Sequence, residues 1–275
     1  MNTIILTLLL TTVLSQNPIQ GPVTLPIAGT AFNTMISKDA RIVAVTFYLS
    51  ADVEVYENTG SGFQFKQSLP STINTIGVVI GSSGKMILID NYPNVEVYTM
   101  SSGGTFTLNQ TITPVAAGYC WTVQISEDEK CFYLGLQYGH VEIYEKSGTY
   151  TLVQTLTEGL GGGIEVISVT DDGKYLMSGS FSQNVYLYEK IGSSWTHFQT
   201  ISLSFKPDTG KIGDGFFLVT GDSNQILIYE NNGSNTYFLS QTILTNETKI
   251  YEMGALDNLE KIFYGGTNQT AILLT

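Results

Sequence analysis

The chain has 275 residues, 43% of them hydrophobic, and a formal net charge of −12 from 24 acidic and 12 basic residues. Its length and hydrophobicity exclude a disordered tail and predict a folded chain with a large core. An acidic chain without a basic cluster lacks the charge pattern that binds nucleic acid or anionic membranes. Its two cysteines are too few for a disulfide framework or a zinc cluster.

The first element in chain order is an apolar segment at the N-terminus. Ile4 to Leu14 is a mostly apolar run of eleven residues, shorter than the roughly 20 that a membrane-spanning helix needs. Small residues, Val13 and Ser15, precede Gln16, which indicates a secretory signal peptide at residues 1–15. A buried strand is the alternative interpretation. We therefore expect a secreted protein, extracellular or in the endomembrane lumen, without membrane insertion and with residues 16–275 as a single domain.

Glycosylation signals agree with secretion. Four Asn-X-Ser/Thr triplets fit the pattern for N-linked glycans, which are attached to surface positions of secreted proteins. The predicted acceptors are Asn109, Asn232, Asn246 and Asn268.

A repeat of about 44 residues organises the rest of the chain. A short β-rich segment ending in tyrosine recurs at intervals of 41 to 46 residues, at Tyr56, Tyr98, Tyr144, Tyr188 and Tyr229. A second β-rich segment follows each, and its glutamines are Gln67, Gln110, Gln154, Gln199 and Gln241. Turn residues before each tyrosine predict a hairpin, so each repeat is predicted to form four strands, A to D. Four short strands at this period are typical of a propeller blade.

The two ends of the repeat region predict how the ring closes. The last repeat has segments for strands A, B and C but none for D. Residues 19–26 resemble residues 65–70, and Leu25 lies 44 residues before Leu69. Because unpaired sheet edges are a liability, we expect residues 19–26 to complete the last blade. The predicted fold is all-β, a six-bladed propeller of four-stranded antiparallel blades closed by the N-terminal strand.

The repeats resemble the WD40 (YVTN-like) propeller superfamily over about residues 19–275. Tyr-Glu pairs, such as Tyr144-Glu145, stand where WD40 repeats carry Trp-Asp, and Thr170 to Ser180 is similar to the family's Ser-x-Asp-Gly-Lys hairpin. The segment VYLYEKIGSSWTHFQTI also resembles FG-GAP propeller repeats, although no Asp-x-Asp-x-Asp-Gly calcium loop occurs. Both resemblances imply a protein–protein interaction platform, an analogy from fold alone.

The repeat separates structural residues from candidate functional ones. His197 lies in a strand D packing slot and His140 in a polar turn slot, so neither is predicted to serve a catalytic triad or a metal site. The aromatic residues that open the D strands are predicted to pack the blades. They are Phe63, Phe106, Tyr150, Trp195 and Tyr237. Glu54, Glu96 and Glu142 recur in strand C, either as a cation-binding row or as exposed strand ends.

Two further motifs favour structural interpretations. Cys120 and Cys131 flank one A–B hairpin, and the expected register separates them too far for a disulfide. Free, buried thiols are therefore predicted. The glycine-rich run at 159–163 leads into a strand rather than a helix N-terminus, which favours a flexible D–A loop over a phosphate site.

The predicted binding face is formed by the D–A and B–C loops. Its B–C loops carry the aromatic residues Phe47, Tyr48, Tyr92, Tyr138 and Phe181, a residue class enriched in interface hot spots. Glu165 occupies a position near the start of strand A, seven residues before the acidic residue of the A–B hairpin. Other blades place Phe32, Ile76, Trp121 and Ile250 in that slot, and Trp121 joins Glu165 and the five loop aromatics as a seventh candidate binding residue. Such a carboxylate is either a solvated channel residue or part of a functional site.

These observations favour a non-catalytic binding or assembly module with a protein or glycan partner, without cofactor or metal, as a monomer or an assembly component. Two alternatives stay open. One is a propeller enzyme, such as a lactonase, a glycosidase or a quinone-dependent dehydrogenase, with acids at the central channel. The other is a structural component of an extracellular coat.

Overall fold

The computed structural model describes residues 31–47, 51–72, 75, 77–255, 262–266 and 271–274. All regular elements within these residues are β-strands, which confirms the predicted all-β class. The chain divides into two compact units, residues 1–115 and 116–275. The predicted signal peptide at 1–15 and the predicted strand at 19–26 lie outside the described residues.

The first unit holds two four-stranded antiparallel sheets, each with its strands in chain order. The first sheet consists of β1 (Ala31–Ile36), β2 (Ile42–Phe47), β3 (Asp52–Asn58) and β4 (Phe63–Pro70). The second sheet consists of β5 (Val78–Ile80), β6 (Met86–Asn91), β7 (Asn94–Met100) and β8 (Phe106–Ile112).

The second unit holds three four-stranded sheets and one three-stranded sheet, again antiparallel and in chain order. The first of them consists of β9 (Cys120–Ile125), β10 (Cys131–Leu136), β11 (Val141–Ser147) and β12 (Thr149–Leu156). The next consists of β13 (Ile164–Val169), β14 (Tyr175–Ser180), β15 (Asn184–Ile191) and β16 (Ser194–Ser202). The third consists of β17 (Pro207–Gly213), β18 (Phe216–Gly221), β19 (Gln225–Asn231) and β20 (Tyr237–Leu244). The three-stranded sheet consists of β21 (Ile250–Ala255), β22 (Ile262–Gly266) and β23 (Ala271–Leu274).

The predicted order of strands A to D is therefore confirmed in five four-stranded sheets. Strand β23 is an edge of the described three-stranded sheet, whereas its counterparts β3, β7, β11, β15 and β19 each pair with a fourth strand. The fourth strand predicted there is residues 19–26, which the structure does not describe, so the six-bladed ring stays a prediction.

Burial explains why the inner strands are so apolar. Every residue of β2, β10 and β18 is buried, because each strand pairs with a strand on either side and packs against an adjacent sheet. The outer strand β8 buries only Phe106, at its start, and Ile112, at its end. All five aromatic residues that open the D strands are 8% exposed or less, which confirms their predicted packing role.

The cores lie between adjacent sheets within each unit. In the first unit, Ile42 and Val53 of the first sheet share a cluster with Val78 and Ile87 of the second. In the second unit, Tyr133, Ile143 and their neighbours pack with Ile164, Leu176 and Trp195 of the next sheet, and similar clusters follow. Each such buried aliphatic side chain contributes about 1.5–3 kcal/mol.

The A–B hairpins are closed by the turn chemistry expected from the sequence. Ser126 Oγ donates to Asp128 Oδ1 over 2.8 Å, and Thr170 Oγ1 donates to Asp172 Oδ1 over 2.6 Å. Each aspartate also accepts from a backbone N–H two residues on. These bonds satisfy backbone groups that a tight turn would otherwise leave unpaired.

Candidate functional site

Strand A carries a β-bulge near its start in five of the sheets. One residue there is left out of the ladder with strand B, between the pairs Ile164↔Ser180 and Val166↔Gly179 in β13, for example. The bulge residues are Phe32, Trp121, Glu165, Asp208 and Tyr251. A bulge re-aims the side chain of its extra residue and often lies beside a functional site.

Counting along the sequence identified the bulge residue correctly in three sheets and missed it in two. The sequence count gave Phe32, Trp121 and Glu165, and all three are bulge residues. Ile250 is not, because it pairs with Gly266 and is fully buried, so Tyr251 takes the slot. Asp208 was not identified because the slot was counted back from the acidic residue of the A–B hairpin. The hairpin after β17 is shorter, with Gly213 paired to Phe216, so the same count misses Asp208.

Two bulge acids of the second unit belong to one charged cluster. Lys206 Nζ lies 2.9 Å from Glu165 Oε2 and 2.8 Å from Asp208 Oδ1. Lys249 Nζ lies 2.9 Å from Asp208 Oδ2 and 2.6 Å from Asp222 Oδ1. The side chains of Asp208 and Glu165 are only 10% and 17% exposed. Because desolvated charges need partners, the two lysines stabilise the buried acids.

The two bulge acids also shift each other's pKa. Burial, together with the hydrogen bond to Asp208, raises the pKa of Glu165 to about 7. Burial alone would raise the pKa of Asp208, but its hydrogen bonds with Glu165, Lys206 and Lys249 hold that pKa below its ordinary value. Of the two acids, Glu165 is therefore the one that binds a proton as the pH falls towards neutral, while Asp208 stays ionised.

An open pocket of about 380 Å³ lies in the same unit. Its aromatic lining consists of Trp121, Tyr138 and Phe181, and its polar lining includes Gln137 and Ser182. The rings of Trp121 and Phe181 lie 5.7 Å apart, centre to centre, with their planes tilted by 54°. Tyr138 is 55% exposed and Phe181 37%. The structure thus brings together three of the seven predicted binding residues.

Lys206 connects the charged cluster to this pocket. Its Nζ lies 4.6 Å from the centre of the Phe181 ring, a distance at which an ammonium is attracted to an aromatic face. The same Nζ binds Glu165 and Asp208. The predicted site residue Glu165 is therefore joined through one lysine to an aromatic wall of the pocket.

The glycine-rich run at 159–163 forms part of the pocket wall. A Cβ on Gly162 would lie 2.7 Å from Ser180 Oγ, and one on Gly163 would lie 3.2 Å from Trp121 Nε1. The backbone N of Ser182 lies equally close to that Gly162 Cβ, so this position requires glycine, whereas a side chain at Gly163 would need its neighbours to shift slightly. The run joins β12 to β13, as expected for a D–A loop, and its flexibility stays a prediction.

Three other predicted binding residues lie elsewhere. Phe47 was expected on a B–C loop, but this is wrong: it is the last residue of β2, 8% exposed, and packs with Val45 and Tyr56. Tyr48 lies outside the described residues. Tyr92 lies in the turn between β6 and β7 of the first unit and is half-buried.

The strand C glutamates are not exposed strand ends, because each is buried or half-buried and accepts a hydrogen bond from a tyrosine. The hydroxyl of Tyr98 donates to Glu96 over 2.8 Å, and that of Tyr144 donates to Glu142 over 2.6 Å. Tyr56 makes the same contact with Glu54. Each glutamate therefore satisfies the buried tyrosine of its own repeat.

The histidines and cysteines occupy the predicted positions. His197 lies in β16 and contacts the ring of Tyr188, at 5.6 Å between ring centres. His140 precedes β11. Cys120 lies opposite Leu136, and both cysteines are free and buried, as predicted. Burial raises the pKa of the Cys131 thiol, which keeps it protonated and unreactive near neutral pH.

The predicted glycosylation acceptors are accessible where the structure describes them. Asn109 is exposed in β8, Asn232 is exposed in the turn after β19, and Asn246 is exposed between β20 and β21. Asn268 lies outside the described residues.

Comparisons with known proteins add no assignment. No protein-family profile matches the chain, and no curated protein sequence matches it. In the described part of the chain, no group of three or more His, Cys, Asp or Glu side chains is arranged to hold a metal ion. The same residues include no helix long and apolar enough to cross a membrane.

Proposed function

We propose that this protein is a secreted, non-catalytic binding module that captures a protein or glycan partner in the pocket of its second unit. The observation that supports this most is the convergence of Trp121, Tyr138 and Phe181, from three separate segments, around one open pocket. Exposed aromatic rings in a concave site gain much from being covered by a partner.

The charged cluster beside the pocket supports binding rather than catalysis. Glycoside hydrolysis by two carboxyl groups needs them about 5–9.5 Å apart, with the scissile bond between them. Glu165 and Asp208 are instead hydrogen-bonded to each other and paired with lysines. Because both acids are paired with lysines, neither is placed as a free acid or nucleophile for such a reaction, and the cluster fits a rigid support for the pocket wall.

The experiment compares two double variants of the labelled, secreted protein on the surface of the cells that produce it. Tyr138→Ala/Phe181→Ala removes exposed pocket rings, and we expect at least about a tenfold loss of surface binding with an almost unchanged melting temperature. The matched control, Phe65→Ala/Phe238→Ala, removes two rings that are 55% and 49% exposed on outer strands. Equal binding by both variants would overturn the proposal.

We also propose that the fold is a six-bladed, WD40-like propeller closed by residues 19–26. The support is the three-stranded sheet β21–β23. Its edge strand β23 corresponds to the third strand of each other sheet, and that strand pairs with a fourth. Gln241 supports it as well, because Gln199, in the same repeat slot, bonds to the backbone of Tyr237 in the next outer strand. If residues 19–26 form such a strand, Gln241 bonds to its backbone.

A double-mutant cycle tests this closure. Deletion of residues 16–26 should lower the unfolding free energy, and Gln241→Ala should lower it in the full mature chain but not in the deleted chain. Coupling between two contacting changes is typically about 0.5–3 kcal/mol. Additive effects, or a deletion without effect, would contradict the ring.

Secretion and glycosylation have a direct test. The proposal predicts that the secreted protein begins at Gln16 and loses mass when N-linked glycans are removed by an endoglycosidase. Full-length, unglycosylated protein found only inside the producing cells would contradict it.

An assembly role in an extracellular coat is the second candidate. Exposed apolar side chains on outer strands favour it, among them Phe65, Leu108 and Leu239 at 49–55% exposure. Light scattering after size-exclusion chromatography separates the two roles. A monomer at all concentrations supports the binding module, and concentration-dependent oligomers that Phe65→Asp disrupts would support the coat.

A further inference from the structure

We propose that the pocket of the second unit takes a neutral sugar residue, so that the partner of the proposed binding module is a glycan. This inference rests on the proposed function and specifies its ligand. It depends on the size of the pocket, on the kinds of side chain that line it and on the charge beside it.

The size of the pocket favours a small ring over a protein surface. Its volume of about 380 Å³ lies at the lower end of the range for small-molecule sites, roughly 300–1,000 Å³. A stable protein contact covers about 800 Å² on each partner and is comparatively flat. A single sugar unit at the end or side of a glycan chain matches such a concave, open site.

The lining combines aromatic surfaces with hydrogen-bonding groups. Tyr138 and Phe181 expose ring surface, and Trp121 lies against Phe181. The C–H groups on one face of a sugar ring are attracted to the electron-rich face of an aromatic ring. Gln137 and Ser182 provide an amide and a hydroxyl at the same pocket, and both groups can donate to or accept from sugar hydroxyls.

The charges beside the pocket favour a neutral ligand. Lys206 is already paired with Glu165 and Asp208, so an anionic ligand would have to compete with both acids for it. The net charge of −12 also disfavours anions. A cationic ligand would meet the ammonium of Lys206 over the Phe181 ring, 4.6 Å from its centre, and would be repelled.

The chain contains an intrinsic fluorescent probe for the test, a tryptophan in the pocket. It has two tryptophans, Trp121 in the pocket and the buried Trp195, which is 4% exposed. The repeat slot of Trp195 holds Phe106 in another sheet, so Trp195→Phe should fold. The glycosylated, secreted Trp195→Phe protein then reports on Trp121 alone by its fluorescence.

The titration uses three arms: neutral trisaccharides (chitotriose, cellotriose, mannotriose and galactotriose), the anionic trigalacturonic acid, and a proline-rich peptide. We expect at least one neutral trisaccharide to shift the Trp121 emission saturably, with a Kd between about 0.1 and 5 mM. In the Trp195→Phe protein, the further change Phe181→Ala should raise the Kd for that trisaccharide about tenfold or more. The further change Phe238→Ala should leave the Kd within about twofold.

Three outcomes would overturn the inference. They are no response to any neutral trisaccharide up to about 20 mM, well above the expected Kd; binding that Phe181→Ala leaves unchanged; and a response to the peptide or the anionic sugar alone. Cell-surface binding distinguishes the two proposals. If Tyr138→Ala/Phe181→Ala abolishes it while no neutral sugar binds, the module stands and the glycan assignment falls. If surface binding is unaffected by that variant, the proposed function itself falls.

Discussion

Gln67 in the first sheet binds the backbone of Phe106 in the second sheet through two hydrogen bonds. Its Nε2 donates to Phe106 O over 2.8 Å, and Phe106 N donates to its Oε1 over 2.9 Å. In the second unit, Gln154 bonds in the same way to Trp195, and Gln199 to Tyr237. The repeated glutamine therefore joins the outer strand of one sheet to the start of the next outer strand.

Removal of this glutamine should destabilise the fold. Gln67→Ala leaves the N–H and C=O of Phe106 without their partners at a residue that is 2% exposed, and we expect a loss of about 1–3 kcal/mol in unfolding free energy. Urea denaturation measures this loss. Gln64→Ala is the matched control, because Gln64 is exposed on the same strand, and it should cost less than about 0.5 kcal/mol. Similar losses for both variants would refute the structural role of the bond pair.

The loop beneath the pocket should tolerate no side chain at Gly139. A Cβ there would lie 1.9 Å from the carbonyl oxygen of Gly159, and its φ is +87°. We expect Gly139→Ala to cost more than about 3 kcal/mol, since the clash adds to a left-handed penalty of about 1–2 kcal/mol. Gly148→Ala isolates that penalty, because φ is +84° and no atom lies within 4 Å. Thermal melts that rank the two variants equally would show that the loop is not tightly packed.

The tyrosine–glutamate pairs should differ in strength with burial. Glu142 is fully buried and accepts from Tyr144 Oη, whereas Glu96, which accepts from Tyr98 Oη, is half-buried. Tyr144→Phe should therefore cost about 1–3 kcal/mol, and Tyr98→Phe less, because water can replace the lost donor at Glu96. Chemical denaturation of the two variants tests this order. A larger loss of unfolding free energy for Tyr98→Phe than for Tyr144→Phe would contradict it.

The raised pKa of Glu165 should give stability a specific pH dependence. Its pKa is raised from 4.5 to about 7, so the folded state binds a proton more tightly than the unfolded state between these values. Its contribution to the unfolding free energy is present below about pH 4.5 and is lost as pH rises towards 7. Glu165→Gln should therefore flatten the fall in melting temperature between about pH 5 and 7. An unchanged pH profile in this variant would mean that folding does not raise the pKa of Glu165.

The repeat explains why so much of the fold was predictable. The tyrosine and glutamine positions recur at a nearly constant interval, and β-branched residues surround them, so four strands per repeat follow from local pattern alone. The packing role of residues such as Trp195 follows from the same slot being aromatic in every repeat.

The candidate site was only partly predictable, because its residues break the repeat. Trp121 and Glu165 were identified by slot counting, but Asp208 follows a shorter hairpin count. Lys206 and Lys249 each lie two residues before a bulge residue, in a loop slot that holds lysine in only these two repeats. The acceptor role of Glu142 and the glutamine bonds between sheets depend on side-chain directions that no sequence period specifies. Phe47 was misplaced because an aromatic residue at a strand end has the same local pattern as one in a loop.

The most direct measurement of the central claim is hydrogen–deuterium exchange of the secreted protein, free and with its captured partner. If the pocket is the binding site, residues 137–139, 159–163 and 180–183, which surround it, become protected on binding, and the outer strands β4, β8 and β20 change little. Protection confined to those outer strands, with unchanged exchange around the pocket, would contradict the central claim.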